Sequence, residues 1–214
     1  MVSDLFTGSA RRNTGIAESK STPFVKIFGE RNTATNALRA LIETNSASRA
    51  LPGVSSEIDP AVVERLRALR QAFAAKDPVQ FLQAREHEID RVFAGQPPSH
   101  TWKHCATRFG AVESLSDALV VFCVRNPLSW LLALYRNPYH LQTTQPGSFE
   151  QFLEAEWTLT QRDNLPCAAL LPHQLYEEKL QSYAVCMRQL EAAGIPCRVL
   201  RFEDIVLQQE AVFA

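Results

Sequence analysis

Residues 24–36 read FVKIFGERNTATN, and the pattern of apolar and polar residues changes twice along this stretch. The first part is a mostly apolar run that ends at Gly29, which predicts a buried β-strand. From Thr35 to Glu43 the apolar residues recur at helical spacing, which predicts an α-helix. Asn32 and Thr33 are residue types that commonly cap a helix N-terminus. The stretch therefore predicts a strand, a polar loop and a helix in succession.

The loop between this strand and this helix has a composition suited to anion binding. A helix N-terminus offers backbone N–H groups without helical partners and the positive end of the helix dipole. Arg31 and the hydroxyls of Thr33 and Thr35 would add donors for a phosphate or sulfate. The same residues also suit a capped helix with a surface arginine. The chain contains no GxxxxGK[ST] motif, which argues against a kinase or an ATPase.

A second polar segment follows the strongest strand pattern in the chain. Residues 119–124 form the continuous apolar run LVVFCV, typical of a strand buried on both faces of a parallel sheet. Arg125 comes directly after it, and Pro127 begins a further predicted helix. Ligands of open α/β sheets bind at the carboxyl ends of strands, and a guanidinium suits a phosphate. The alternative role for Arg125 is to pair with a carboxylate or to cap a neighbouring loop.

The remaining segments alternate between helical and strand patterns. Two amphipathic helices, one after Pro60 and one over 78–93, form a predicted helical insertion at about 58–96. Further elements are expected as a short strand at 100–104, helices at 149–157 and 174–193, a strand at 198–202 and a helix from 205. Strands that alternate with helices predict an α/β fold with a mostly parallel central sheet flanked by helices.

Lys103 and His104 form the third candidate site. An imidazole titrates near neutral pH and can act as a general base, and the adjacent lysine supplies a cation to the same reaction. A lone histidine is more often structural, so this pair indicates a catalytic site only when it is taken together with the other two candidate sites.

Bulk properties limit the classes of protein. The 214 residues have a mass of 24.0 kDa, 46% hydrophobic residues, a net charge of −1 and a mean hydropathy of −0.14, as expected for one globular domain. Residues 1–20 are polar and read as a flexible leader, and 21–214 as a single domain.

The net charge argues against nucleic-acid binding, and the apolar stretches are too short to span a membrane. Five cysteines without CxxC spacing indicate reduced thiols in the cytoplasm rather than disulfides or a metal site. The oligomeric state is not predicted.

Taken in order, these segments resemble the sulfotransferase family, whose members use 3′-phosphoadenosine 5′-phosphosulfate (PAPS) on a three-layer P-loop-NTPase-like α/β fold. The resemblance extends from Phe24 to about Ile205. Residues 26–36 are similar to the family's 5′-phosphosulfate loop in its GERNTGTN variant, and residues 124–136 to its 3′-phosphate motif. The segment 102–104 matches the position of the catalytic histidine, and residues 201–204 resemble an R-[FY]-E-D stretch.

The resemblance implies a role for each candidate residue. His104 would be the catalytic base and Lys103 would stabilise charge on the sulfuryl group. PAPS would be the donor substrate, no metal would be needed, and the acceptor would be a small molecule or a carbohydrate. The residues expected to bind the donor are Arg31, Asn32, Thr33, Ala34, Thr35, Asn36, Arg125 and Ser129.

The chain departs from the family pattern at three places. Ala34 stands where the family usually has glycine, and Ala133 where it has a helix serine, for which Ser129 one turn earlier is the expected substitute. The family's basic, glycine-containing C-terminal loop has no counterpart before Ala214, so we expect a chain that is either naturally short or incomplete. These departures keep open a catalytically degenerate binding or scaffold protein, and a P-loop-type nucleotide kinase is the less favoured alternative.

Overall fold

The computed structural model describes residues 24–73, 76–138 and 147–208, and its centre is a parallel β-sheet. Four strands lie in the order β2-β1-β3-β6 and are all parallel. A separate antiparallel pair is formed by β4 and β5. The strands are β1 (Phe24–Gly29), β2 (Arg49–Ala50), β3 (Ala118–Val124), β4 (Trp157–Thr158), β5 (Ala169–Leu170) and β6 (Cys197–Arg201).

Eight α-helices occupy the described part of the chain. The predicted helical insertion contains α3 and α4, which pack against each other. No helix within the described ranges combines the length and the apolar character needed to cross a membrane. The helices are α1 (Thr35–Asn45), α2 (Ser55–Ile58), α3 (Val62–Phe73), α4 (Pro78–Phe93), α5 (Pro127–Arg136), α6 (Phe149–Glu154), α7 (Pro172–Ala192) and α8 (Phe202–Leu207).

Both faces of the central sheet are covered, because successive side chains of a strand point to opposite faces. On one face Val121 and Cys123 of β3 pack with residues of β1 and with Leu38 of α1. On the other face Val120 and Phe122 pack with residues of α4 and α7. The fold is therefore α/β, as predicted, and its four-stranded central sheet is entirely parallel.

The sheet register brings two predicted sites to one edge. Gly29 at the end of β1 lies opposite Cys123 near the end of β3. A Cβ added at Gly29 would lie 2.7 Å from the Cys123 carbonyl oxygen and 2.8 Å from its Cβ. Only glycine permits this close approach, and as a consequence the loops after β1 and after β3 lie beside each other.

Two predicted elements are wrong. Residues 100–104 form no strand: a 3₁₀ turn at Pro98–His100 leads into irregular backbone. The Gly29 N–H donates to the Lys103 carbonyl (2.9 Å), and the Lys103 N–H donates to the Gly53 carbonyl (3.1 Å). Isolated hydrogen bonds therefore hold this segment, and not the regular ladder of a paired β-strand. The helix predicted at 149–157 ends at Glu154, and Trp157 begins β4. The predicted leader at 1–20 and the residues after 208 lie outside the described residues.

Candidate functional site

The loop after β1 has an unusual backbone. Ala34 is the N-cap of α1 and has φ 67°, and Asn32 has φ 64°, both in the left-handed region. The prediction that Asn32 and Thr33 cap α1 is wrong, because α1 has no side-chain cap. The Thr33 hydroxyl instead donates to the Glu30 carbonyl at 2.5 Å and is fully buried.

This backbone leaves a row of N–H groups available. The first α1 hydrogen bond runs from the Leu38 N–H to the Ala34 carbonyl (2.9 Å). Within the described ranges, no hydrogen bond is formed by the backbone N–H groups of residues 32–37. Alternating left-handed residues turn successive N–H groups to one side, which is the geometry of an anion-binding nest. The loop and the first turn of α1 can therefore bind a phosphate or sulfate through the main chain.

A network of buried ion pairs supports the loop after β1. The Glu30 carboxylate accepts from the Arg31 N–H (2.7 Å) and Arg31 Nη1 (2.9 Å), and pairs with Lys179 Nζ at 2.8 Å. Lys179 also pairs with Asp163 at 2.6 Å. Burial alone would raise the pKa of Asp163, but Lys179 and Arg31 outweigh it and hold that pKa far below its usual value. Arg31, which was predicted to bind the donor, is therefore already paired with carboxylates of the protein itself.

Trp102 lies at the centre of this network. Its ring is 4.8 Å from the guanidinium carbon of Arg31, 4.6 Å from that of Arg162 and 5.5 Å from Lys179 Nζ. Such cation–π contacts stabilise buried cations. The ring also packs edge-on against His104, at 5.2 Å between centroids. The segment that carries His104 is therefore fixed to the loop through Trp102.

His104 and Lys103 project into the space beside the loop. His104 Nδ1 hydrogen-bonds to the Gly29 carbonyl, so Nδ1 carries the proton and Nε2 is the acceptor. Burial, followed by the charges of Arg31 and Lys103, lowers the pKa of His104 well below its usual value. Burial also lowers the pKa of Lys103, whose Nζ donates to the Asn36 side chain.

These residues open onto a cavity of about 470 Å³, which we call the His104 cleft. The Lys103 and His104 side chains line one wall, and the loop and start of α1 line another. The remaining wall belongs to α2, α3 and α4 and to Arg162. The lining residues are Arg31, Asn32, Ala34, Thr35, Asn36, Val54, Ser55, Leu66, Arg85, Ile89, Phe93, Trp102, Lys103, His104 and Arg162.

A second cavity, of about 380 Å³, lies on the other side of the loop, and we call it the Arg125 cleft. Arg125 Nε donates to Ser129 Oγ at 2.9 Å and its Nη1 to the Asn32 carbonyl at 3.0 Å. Its guanidinium lies 4.0 Å from the ring centre of Phe202. The lining residues are Asn32, Ala34, Arg125, Ser129, Leu132, Ala133, Arg136, Asn137 and Phe202.

The loop after β3 is held in place by distant residues. The Tyr176 hydroxyl accepts from the Arg125 N–H (2.8 Å) and donates to the Arg125 carbonyl (2.5 Å). The Glu203 carboxylate accepts from the Asn126 N–H at 3.0 Å. Trp130 of α5 donates from its indole N–H to the Arg31 carbonyl at 2.8 Å. The 201–204 stretch thus supports the Arg125 cleft through Phe202 and Glu203.

The structure brings nine of the ten predicted site residues to the two clefts. Asn32 and Ala34 line both, so the loop separates a Lys103 and His104 side from an Arg125 and Ser129 side. Thr33 is the exception, since its hydroxyl faces inward. The buried supports Glu30, Asp163 and Lys179 were not predicted. Of these, only Glu30 could have been recognised from the sequence, because it is a carboxylate within a segment that otherwise suits anion binding.

Within the described ranges, no group of three or more His, Cys, Asp or Glu residues has the arrangement of a metal site. Comparison with models of known protein families finds no match to this chain, and comparison with curated proteins finds no similar sequence.

Proposed function

We propose that this protein is a sulfotransferase that moves a sulfuryl group from PAPS to a hydroxyl or amine of a small-molecule or carbohydrate acceptor. The proposal extends to a three-layer P-loop-NTPase-like fold and to a cytoplasmic location, in keeping with five free cysteines. One observation carries it. The open N–H groups of residues 32–37 lie between a cleft with a neutral histidine and a cleft with an arginine and a serine.

Each cleft matches one part of the donor. The 5′-phosphosulfate would lie on the N–H groups of the loop, where the helix dipole favours negative charge. Arg125 and Ser129 would bind the 3′-phosphate, because Arg125 Nη2 makes no hydrogen bond to the described residues. Ser129 takes the place of the hydroxyl that Ala133 lacks, since both residues line the Arg125 cleft.

The chemistry proposed for His104 follows from its tautomer. Nε2 accepts the proton of the acceptor hydroxyl as the acceptor oxygen bonds to sulfur. The bond from sulfur to the 5′-phosphate oxygen breaks, and 3′-phosphoadenosine 5′-phosphate (PAP) leaves with its electron pair. Lys103 and the loop N–H groups stabilise the negative charge that develops on the sulfuryl oxygens and the leaving phosphate. No covalent intermediate with the protein is required.

A binding or scaffold protein is the second candidate, and Ala34 is the observation that favours it. A φ of 67° strains an alanine at the centre of the proposed anion site, where a glycine would not be strained. A nucleotide kinase is less favoured, because no loop lysine or metal-binding hydroxyl stands at Walker A spacing.

Transfer of radioactive sulfate from ³⁵S-labelled PAPS to a panel of phenols and sugars tests the proposal, with PAP titrated by calorimetry in parallel. Micromolar PAP binding with product formation supports the enzyme. Binding without any product supports the scaffold protein. Absence of PAP binding overturns the enzyme and favours a scaffold protein that has lost the donor site, and magnesium-dependent ATP hydrolysis would support the kinase instead.

A further inference from the structure

The wall of the His104 cleft carries charge of one sign. Four cationic side chains line it, and no Asp or Glu is among the described residues that do so. Among the described residues, the carboxylates Glu30, Glu86, Asp90 and Asp163, which pair with Arg31, Arg85 and Arg162, are buried, and none of them lines the cleft. The cations are Arg31, Arg85, Lys103 and Arg162. A cavity with such a wall favours an anionic occupant, because low-dielectric walls concentrate the field.

Two of these cations come from segments other than the loop that would bind the donor. Arg85 is on α4, in the helical insertion, and Arg162 follows β4. Arg162 is almost completely buried and pairs with both Glu86 and Asp90. Arg85 is 29% exposed and pairs with Glu86 at 2.6 Å. Of these two cations, Arg85 is therefore the one that a ligand can reach, whereas Lys103 lies on another part of the lining beside His104.

Arg85 is part of a stripe along α4. Ile89 and Phe93 follow it at intervals of four residues, so the three side chains lie on the same helix face, and all three line the cleft. Leu66 of α3 adds to the apolar surface. Ile89 and Phe93 also pack in the core and are 8% and 7% exposed, so the wall offers a guanidinium at one end and a small apolar surface beyond it.

The volume of the cleft limits the size of its occupant. A cavity of about 470 Å³ is within the usual range for small-molecule sites, which is roughly 300–1,000 Å³. An apolar body on Ile89 and Phe93 and a negative group on Arg85 would be bound together by such a surface. A carboxylate is well matched to Arg85, since hydrogen bonds from a guanidinium to a carboxylate are charge-assisted and stronger than neutral ones.

We propose that the acceptor is a small amphiphile with a carboxylate, which binds Arg85, and an apolar body, which packs on Ile89 and Phe93. Its hydroxyl then faces His104. This inference rests on the proposed function, because it names the acceptor class of the same site.

The test compares 4-hydroxyphenylacetate with 4-hydroxyphenylacetamide, which differ in charge and hardly in size. Each is titrated by calorimetry into the protein saturated with PAP. We expect the carboxylate to bind at least about tenfold more tightly than the amide, and this preference to weaken as salt is added. In Arg85→Gln we expect the preference to fall below about threefold. Glu86 keeps Arg162 as its partner in this variant, so no buried carboxylate loses its last cation.

Arg91→Gln is the matched control, because Arg91 is on the same helix, is 67% exposed and does not line the cleft. It should keep the wild-type preference. The inference is overturned if the amide binds as tightly as the carboxylate, if neither compound binds, or if Arg91→Gln loses the preference as Arg85→Gln does. If Arg85→Gln fails to fold, the wild-type comparison still decides. PAP binding is measured first, so its absence refutes the proposed function separately from the acceptor class.

Discussion

His104 Nδ1 lies within hydrogen-bonding distance of the carbonyl oxygen of Gly29, the last residue of β1. A carbonyl oxygen only accepts, so the proton sits on Nδ1 and Nε2 keeps its lone pair. This bond fixes the ring in the tautomer that a general base needs, directly beside the loop that would bind the donor. The contact joins the segment that carries His104 to the central sheet.

We predict that His104→Ala abolishes sulfuryl transfer and leaves the affinity for PAP nearly unchanged. The proposed base is lost, whereas the N–H groups of the loop and Arg125 remain. Loss of a general base typically costs 10²–10⁴-fold in rate. His173→Ala is the control, because His173 is exposed at the start of α7. A His104→Ala protein that keeps most of the wild-type rate would exclude His104 from the reaction.

The pH dependence of the rate should follow the lowered pKa of His104. Burial, then Arg31 and Lys103, disfavour the charged ring, so protonation occurs only well below pH 6.5. The rate at saturating donor should be flat between pH 7 and pH 8 and should fall as the pH drops through the lowered pKa. Initial rates across this range measure it. An acid limb with its midpoint at or above 6.5 would be inconsistent with the buried, cation-flanked ring.

Replacement of Arg125 by Gln should weaken PAP binding by about 1.5–3 kcal/mol, the range for a hydrogen bond to a charged group. Calorimetry with adenosine 5′-phosphate, which lacks the 3′-phosphate, should show a much smaller loss. Arg198→Gln, an exposed change on β6, should alter neither affinity. If Arg125→Gln weakened the binding of both nucleotides equally, Arg125 would not bind the 3′-phosphate.

Ala34→Gly should stabilise the protein by about 0.5–1 kcal/mol. Glycine removes the strain of a φ of 67° and is a better N-cap than alanine, although it adds freedom to the unfolded chain. Ala40→Gly in the same helix is the control and should destabilise by about 1 kcal/mol. Urea unfolding measures both changes. Destabilisation by Ala34→Gly would contradict the left-handed N-cap.

Lys26 should make stability depend on pH. Its Nζ is fully buried, donates to the carbonyls of Thr101 (2.7 Å) and Pro52, and has a pKa lowered by burial to about 7. Between pH 7 and 10.5 the unfolded chain holds this proton more often than the folded chain, so stability rises with pH there.

Urea unfolding of wild type and Lys26→Met between pH 7.5 and pH 8.5 measures this effect. The difference in their free energies of unfolding should move in favour of wild type by about 1 kcal/mol per pH unit. Lys76→Met, at an exposed position, should show no such trend. A difference between wild type and Lys26→Met that is constant with pH would show that Lys26 stays charged in the fold.

Local patterns were enough to predict much of the fold. The apolar run of β3 and the Pro78–Phe93 helix are where the sequence predicts them. Gly29 ends β1 as expected. These elements are determined by hydrophobic periodicity and by residues that begin or end structure, which can be read within a short window.

The parts that could not be predicted depend on contacts between distant segments. The backbone at Lys103 is set by single hydrogen bonds to Gly29 and Gly53, and no local pattern encodes them. Lys179 contacts Glu30, Asp163 and the His104 carbonyl, which three separate parts of the chain contribute. Thr33 looked like a helix cap because its type suits one, but its hydroxyl binds Glu30 instead.

The loop at residues 29–34 and the start of α1 are proposed to bind the 5′-phosphosulfate of the donor. Titration calorimetry of the wild-type protein with PAP and with adenosine 3′-phosphate, which lacks only the 5′-phosphate, tests this proposal most directly. We predict micromolar binding of PAP and at least about tenfold weaker binding of adenosine 3′-phosphate, since charge-assisted hydrogen bonds to the loop are lost. Equal affinities for the two nucleotides, or no detectable binding of PAP, would contradict it.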